Sequence, residues 1–145
     1  MHPTPRFREP LAPHFTMLKM IADYMENGFL DNIVDMFKHD RSLYPLIGDL
    51  LGDERSRVRI GAVALVETLK KEDLEHVASA IPSIAERLKD PNATIRGDAA
   101  YLLGIIGHRD ALPFLKEMLN DDHELVKESV NEAIEEIENG DDKTD

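Results

Sequence analysis

The chain has 145 residues, 42% hydrophobic and 6% aromatic, with no Cys, no Trp and a formal net charge of -12. Such a length fits one domain with a core of Leu, Ile, Val and Ala, and the missing Cys excludes disulfides, thiolate metal sites and Cys nucleophiles. Charge is uneven: 15 Lys and Arg stand against 17 Asp and Glu up to Lys116, but 2 against 12 from Glu117 onward, an acidic surface that repels phosphate backbones and argues against a nucleic-acid partner.

Residues 1–13 carry Pro3, Pro5, Pro10 and Pro13, and an extended Pro-rich arm is expected there. Proline and charge stand where a signal peptide has an apolar run, and no stretch approaches the roughly 18 to 20 apolar residues of a membrane helix. A cytoplasmic protein without a membrane partner is expected. A single domain follows over 14–138. Its first helix pair, a repeat near 15–38, spans 15–26 and 29–38 around Asn27-Gly28.

From there a segment occurs three times, starting at Tyr44-Pro45, Ile81-Pro82 and Leu112-Pro113. Eight residues after each Pro come Asp53, Asp90 and Asp121; fourteen after come Arg59, Arg96 and Lys127. Leu51, Leu88 and Leu119 recur at plus six, and Leu69, Ile106 and Ile137 at plus twenty-four. Charged and apolar residues recurring in one order at fixed offsets mark a repeat protein. Within 56–69, Val58, Ala62, Leu65, Val66 and Leu69 form one helical stripe, and 93–106 and 124–137 repeat it. A shorter helix precedes each, over 43–51, 81–89 and 111–119, with Pro near its start where the missing amide has no partner.

The repeats therefore fall near 43–70, 81–107 and 111–138. The Pro-to-Pro spacing is 37 residues, then 31, and the six extra residues lie within 70–80, where Asp73 is placed to cap a turn. Residues 139–145 read as an acidic disordered tail. The expected fold is all-α: a short right-handed α-solenoid of about four antiparallel helix pairs, the N-terminal pair degenerate because it lacks the Asp and Arg marks.

Asp53 to Val66 (Asp-Glu-Arg-Ser-Arg-Val-Arg-Ile-Gly-Ala-Val-Ala-Leu-Val) and Asp90 to Gly107 (ending Leu-Leu-Gly-Ile-Ile-Gly) resemble HEAT repeats. The 31-residue unit and that ending are similar to HEAT-like repeats of the phycobilisome-lyase type. The resemblance implies a structural ladder in which Asp53, Asp90 and Asp121 pair with Arg59, Arg96 and Lys127 along the stack. An Asp at the turn can also cap the following helix. Lys127 lacks the planar fork of Arg, so its rung is expected to be weaker.

The resemblance also implies that the second helices line a concave surface. Its exposed stripe holds Ile60, Gly61 and Ala64, then Asp98, Tyr101 and Ile105, then Glu132, so small and apolar residues give way to acids. A protein partner offering a helix or segment with an apolar part and a basic end fits that gradient, and Tyr101 is its best single anchor. The six histidines are scattered without metal-ligand spacing. His123-Glu124 resembles the His-Glu pairs that di-iron HEAT-repeat hydroxylases carry in several repeats, but the equivalent positions here are Arg55-Ser56 and Asn92-Ala93. No catalytic constellation, cofactor or metal is read from the sequence. The expected function is a non-enzymatic interaction module or adaptor. The alternative is a lyase-like or maturation factor for a tetrapyrrole-bearing protein, and a nucleic-acid binder ranks below both.

Overall fold

The computed structural model describes residues 13–143. The expected arm therefore lies outside the described residues except for Pro13, which opens α1 (Pro13–Glu26). Seven helices follow: α2 (Leu30–His39), α3 (Ile47–Leu51), α4 (Ser56–Glu72), α5 (Ile81–Glu86), α6 (Ala93–Ile106), α7 (Leu112–Lys116) and α8 (Glu124–Lys143). Among the described residues there is no strand, and no helix is long and apolar enough to cross a membrane. The molecule is an all-α solenoid in which α4, α6 and α8 pack side by side while α3, α5 and α7 form a second layer.

The second-layer helices are shorter than the sequence periodicity suggests. Pro45 sits inside a 3-10 turn, Arg41–Leu46, that leads into α3, and further 3-10 turns lead into α5 and α7. Tight i to i+3 bonding replaces the last α-turns as well: Arg87–Lys89 is a 3-10 turn, and past Lys116 the Met118 amide donates to the Leu115 carbonyl at 2.9 Å. The long helices follow their stripes and overrun them. α4 continues to Glu72, and α8 continues to Lys143, so residues 139–143, expected as tail, are helical.

The stripes bury one continuous core that includes Val58, Leu65, Leu69, Ala99, Leu102, Leu103, Val130 and Ile137. At about 25 cal/mol per Å² of apolar surface, this burial is the main stabilising term. Close approach between units depends on small residues. A Cβ on Gly48 would lie 2.2 Å from the Ser83 carbonyl oxygen, and one on Gly104 would lie 3.0 Å from Cα and Cβ of Ala133. Leu51 and Leu88 are fully buried by the unit that follows each, whereas their equivalent Leu119 is 38% exposed, because no described unit follows α8.

The extra residues between the first and second repeats are held by a polar clasp. Buried Tyr44 donates its hydroxyl to Asp73, and His76 Nδ1 lies 2.8 Å from the other Asp73 oxygen. Burial and then the Asp73 bond raise the Tyr44 phenol, whereas for Asp73 itself the bonds from Tyr44 and His76 outweigh burial and hold its carboxyl below the usual range. At the far end of the same connection, Lys70 Nζ donates to the carbonyls of Ile105 and Ile106, both at 2.8 Å. That ammonium satisfies the exposed end of α6 and complements its dipole. α6 stops there because Gly107 turns left-handed, φ 74°.

Candidate functional site

The acid and base that mark each repeat are engaged by their own turns. Asp53, Asp90 and Asp121 each accept the amide two residues on, from Arg55, Asn92 and His123, at 2.8, 2.8 and 2.9 Å. Short polar side chains form such turns readily. Arg59 reaches back to the carbonyls of Asp53 and Glu54 at 2.7 and 2.9 Å, and Arg96 to those of Asp90 and Pro91 at 3.0 and 3.2 Å. Helix α6 is capped by Asn92, which accepts from the Thr94 amide at 2.9 Å, and not by Asp90.

Only one rung of the expected ladder crosses between repeats as drawn. Arg96 grips Asp121 through Nε and an Nη at 2.9 and 3.1 Å, and the guanidinium holds that carboxyl below its ordinary range. Arg59 makes no ion pair among the described residues; like Arg96 it spends one nitrogen on its own turn, but at this junction Arg87 lies 3.3 Å from Asp90 instead. Arg87 also reaches Asp49 at 3.4 Å and supplies the bridge that Arg59 does not. Lys127 pairs with Glu124 on its own helix at 2.9 Å, as a flexible point charge without a planar fork allows. At Asp53 burial pushes the carboxyl up, but the Arg55 contacts outweigh it and the net shift is downward.

The stripe read from sequence divides into two parts. Beside α4 it is partly covered: a Cβ on Gly61 would come within 2.3 Å of Met25, so α1 lies over this position and it is not open to a partner. Arg55 holds α1 there through Asp23 at 3.0 Å. Ile60 is 69% exposed beside it, and Ala64 is half-buried, its carbonyl accepting from Thr68 at 2.8 Å. Between α6 and α8 the stripe opens into a cleft of about 510 Å³ lined by Tyr101, Gly104, Ile105, Ser129, Glu132, Ala133 and Glu136 among others. Tyr101 and Ile105 give it an apolar wall; Glu132 and Glu136 give it an acidic one.

Tyr101 is 44% exposed, and its hydroxyl donates to Glu67 of α4 at 2.8 Å. That bond, then burial, raises the phenol above its ordinary range, so the ring is held in place with a neutral hydroxyl. Glu67 was not among the residues read from sequence, since nothing in one repeat shows which side chain of the preceding unit will face it. Gly104 and Ala133 were legible as helix interior and not as a cleft floor. Asp98, one turn before Tyr101, is half-buried.

His123 directly precedes α8 and Glu124 opens it, but Glu124 is taken by Lys127. Among the described residues no three His, Cys, Asp or Glu side chains come together in a way that could hold a metal ion. The donor set among the described residues does not fit a di-iron centre.

Known proteins are similar over most of the chain. The family described as HEAT repeats matches residues 44–135. A deoxyhypusine hydroxylase of Aspergillus clavatus is 27% identical over 127 residues, 86% of this chain and 32% of that protein. One of Aspergillus oryzae is 33% identical over the same shares. The chain thus spans about a third of the length of the curated relatives it matches. These relatives correct the expectation of a non-enzymatic adaptor, since both carry the name of an enzyme. Sequence reasoning set this aside because the one His-Glu pair, His123-Glu124, does not recur at Arg55-Ser56 or Asn92-Ala93.

Proposed function

The chain belongs to the HEAT-repeat family, and from that premise we propose that it serves the enzymatic activity its relatives are named for, the hydroxylation of deoxyhypusine, as repeats that receive the substrate. The observation that carries this reading is the similarity over 86% of the chain to two proteins of that name, a stretch long enough to include α6 and its Tyr101 wherever it begins. The short unit ending at Gly107 favours the phycobilisome-lyase type of HEAT-like repeat as the subtype.

The cleft suits a protein substrate with an apolar part and a basic end. Tyr101 and Ile105 offer apolar contact area, and Glu132 and Glu136 offer negative charge at the mouth. With Tyr101 fixed by Glu67, little side-chain entropy is lost when a segment settles on its ring. Binding and orientation are the tasks these residues can perform. A cytoplasmic setting goes with this proposal.

Calorimetric titration with a peptide containing deoxyhypusine tests it. Saturable binding to the wild-type chain, weakened about tenfold or more in Tyr101→Ala, is expected for an aromatic anchor. Absence of binding to the wild type contradicts it.

A further inference from the structure

The described residues include six half-buried aspartates: Asp23, Asp53, Asp73, Asp90, Asp98 and Asp121. Five of them hold partners. Asp23 holds Lys19 and Arg55, Asp53 holds Arg55, Asp73 holds Tyr44 and His76, Asp90 holds Arg87, and Asp121 holds Arg96. No hydrogen bond or ion pair to a described residue engages Asp98.

A carboxylate withdrawn from water without a partner is costly. The repeat does not require an acid at this position, because the equivalent residues, sixteen after Pro45 and Pro113, are Gly61 and Ser129. Burial pushes the Asp98 carboxyl up; the positive charge of Arg59 opposes that from a distance without forming an ion pair. Neighbouring Gly97 adds no side chain that could supply a donor. Tyr101, three residues on, lies on the same face of α6.

We propose that Asp98 is the counter-ion for an alkylammonium group, a lysine-type side chain on the incoming basic segment, whose methylene stem lies along the Tyr101 ring. The ammonium supplies the hydrogen-bond donors that Asp98 lacks, and the aromatic face suits both the stem and the charge. Asp98, one helical turn before Tyr101 and outside the lining of the cleft, thereby fixes which residue of the segment precedes the one on the Tyr101 ring, and the rest of the segment runs on toward Glu132 and Glu136. This assignment rests on the reading of the cleft as the substrate-receiving surface, and it adds the residue that sets register and charge preference.

The test is an amide-shift NMR titration with an acetylated and amidated peptide of alternating leucine and lysine, and with its counterpart in which glutamine replaces lysine. The lysine peptide is expected to shift Gly97, Asp98 and Tyr101 most. Asp98→Asn is expected to weaken it about tenfold, the loss of one charge-assisted hydrogen bond. Asp98→Ser, the residue of the third repeat, should do the same, and neither change should alter the weak binding of the glutamine peptide. Equal affinity of wild type and both variants for the lysine peptide, or shifts centred away from α6, overturns the assignment. A deoxyhypusine peptide run alongside separates the two readings. If wild type and Asp98→Asn bind it equally, the role of Asp98 falls and the substrate reading stands. If wild type ignores it while the lysine peptide still depends on Asp98, the substrate reading falls alone.

Discussion

The two junctions between the marked repeats carry the same offsets in sequence and are fastened differently. At the first, the backbone of α5 lies almost against Gly48, Lys70 caps α6 across the junction, and Arg87 bridges to Asp49 while Arg59 stays within its own turn. At the second, Arg96 reaches across and grips Asp121 with both arms, and Gly104 admits Ala133 of α8. The difference teaches that the Asp and Arg signature is first a turn-building device. It becomes a bridge only where the neighbouring turn comes within reach and no other cation occupies its carboxylate. The first junction, with six extra residues and an Arg at 87 where the other repeats have Leu50 and Met118, meets neither condition.

Substitutions that load the two junctions separately sharpen this contrast. Gly48→Ala should do the most damage, about 10 °C or more in melting temperature, because its Cβ meets backbone that cannot rotate away. A loss of only a degree or two would show that the two layers slide past each other freely. Asp121→Asn keeps the turn oxygen and removes the charge, and about 5 °C is the expected loss by thermal melting. The folded carboxyl titrates below its unfolded value, so its stabilisation is complete above the unfolded value of about 4 and disappears as pH falls through the folded one. The gap between wild type and Asp121→Asn should therefore begin to narrow in melts below about pH 4 and close only once the pH is below the folded value.

Asp90→Asn at the first junction should cost less, about 3 °C, since Arg87 holds Asp90 at 3.3 Å and also has Asp49. Equal losses for the two Asn variants would dissolve the comparison. Lys70→Met, which keeps the stem and removes the cap on α6, is expected to cost about 2 °C. Tyr101→Phe should stay within about 1 °C, because the bond to Glu67 is solvent-accessible.

Much of the fold was legible. The apolar stripes of 56–69, 93–106 and 124–137 predicted the three long helices, since a helical period of hydrophobics has one burial solution. The reach of α8 to Lys143 was not legible, because acidic composition resembles a tail whether or not helix continues through it. Nor was the covering of Gly61 by Met25: a glycine on an exposed stripe reads as open surface, and only the docking of α1 shows otherwise. Tyr101, Ile105 and Glu132 were legible as one face and do line one cleft, but Glu67, which fixes Tyr101, comes from another repeat. Asp98 was visible as a stripe residue, whereas its lack of a partner among the described residues is a property of three-dimensional packing alone.

The most direct test of the substrate-receiving account is to map a deoxyhypusine-containing peptide onto the chain by amide shifts. The account predicts changes concentrated in α6 and α8 around Tyr101, Ile105 and Glu132. Changes confined to α1, α2 or the second-layer helices α3, α5 and α7, or none at saturating peptide, would contradict it.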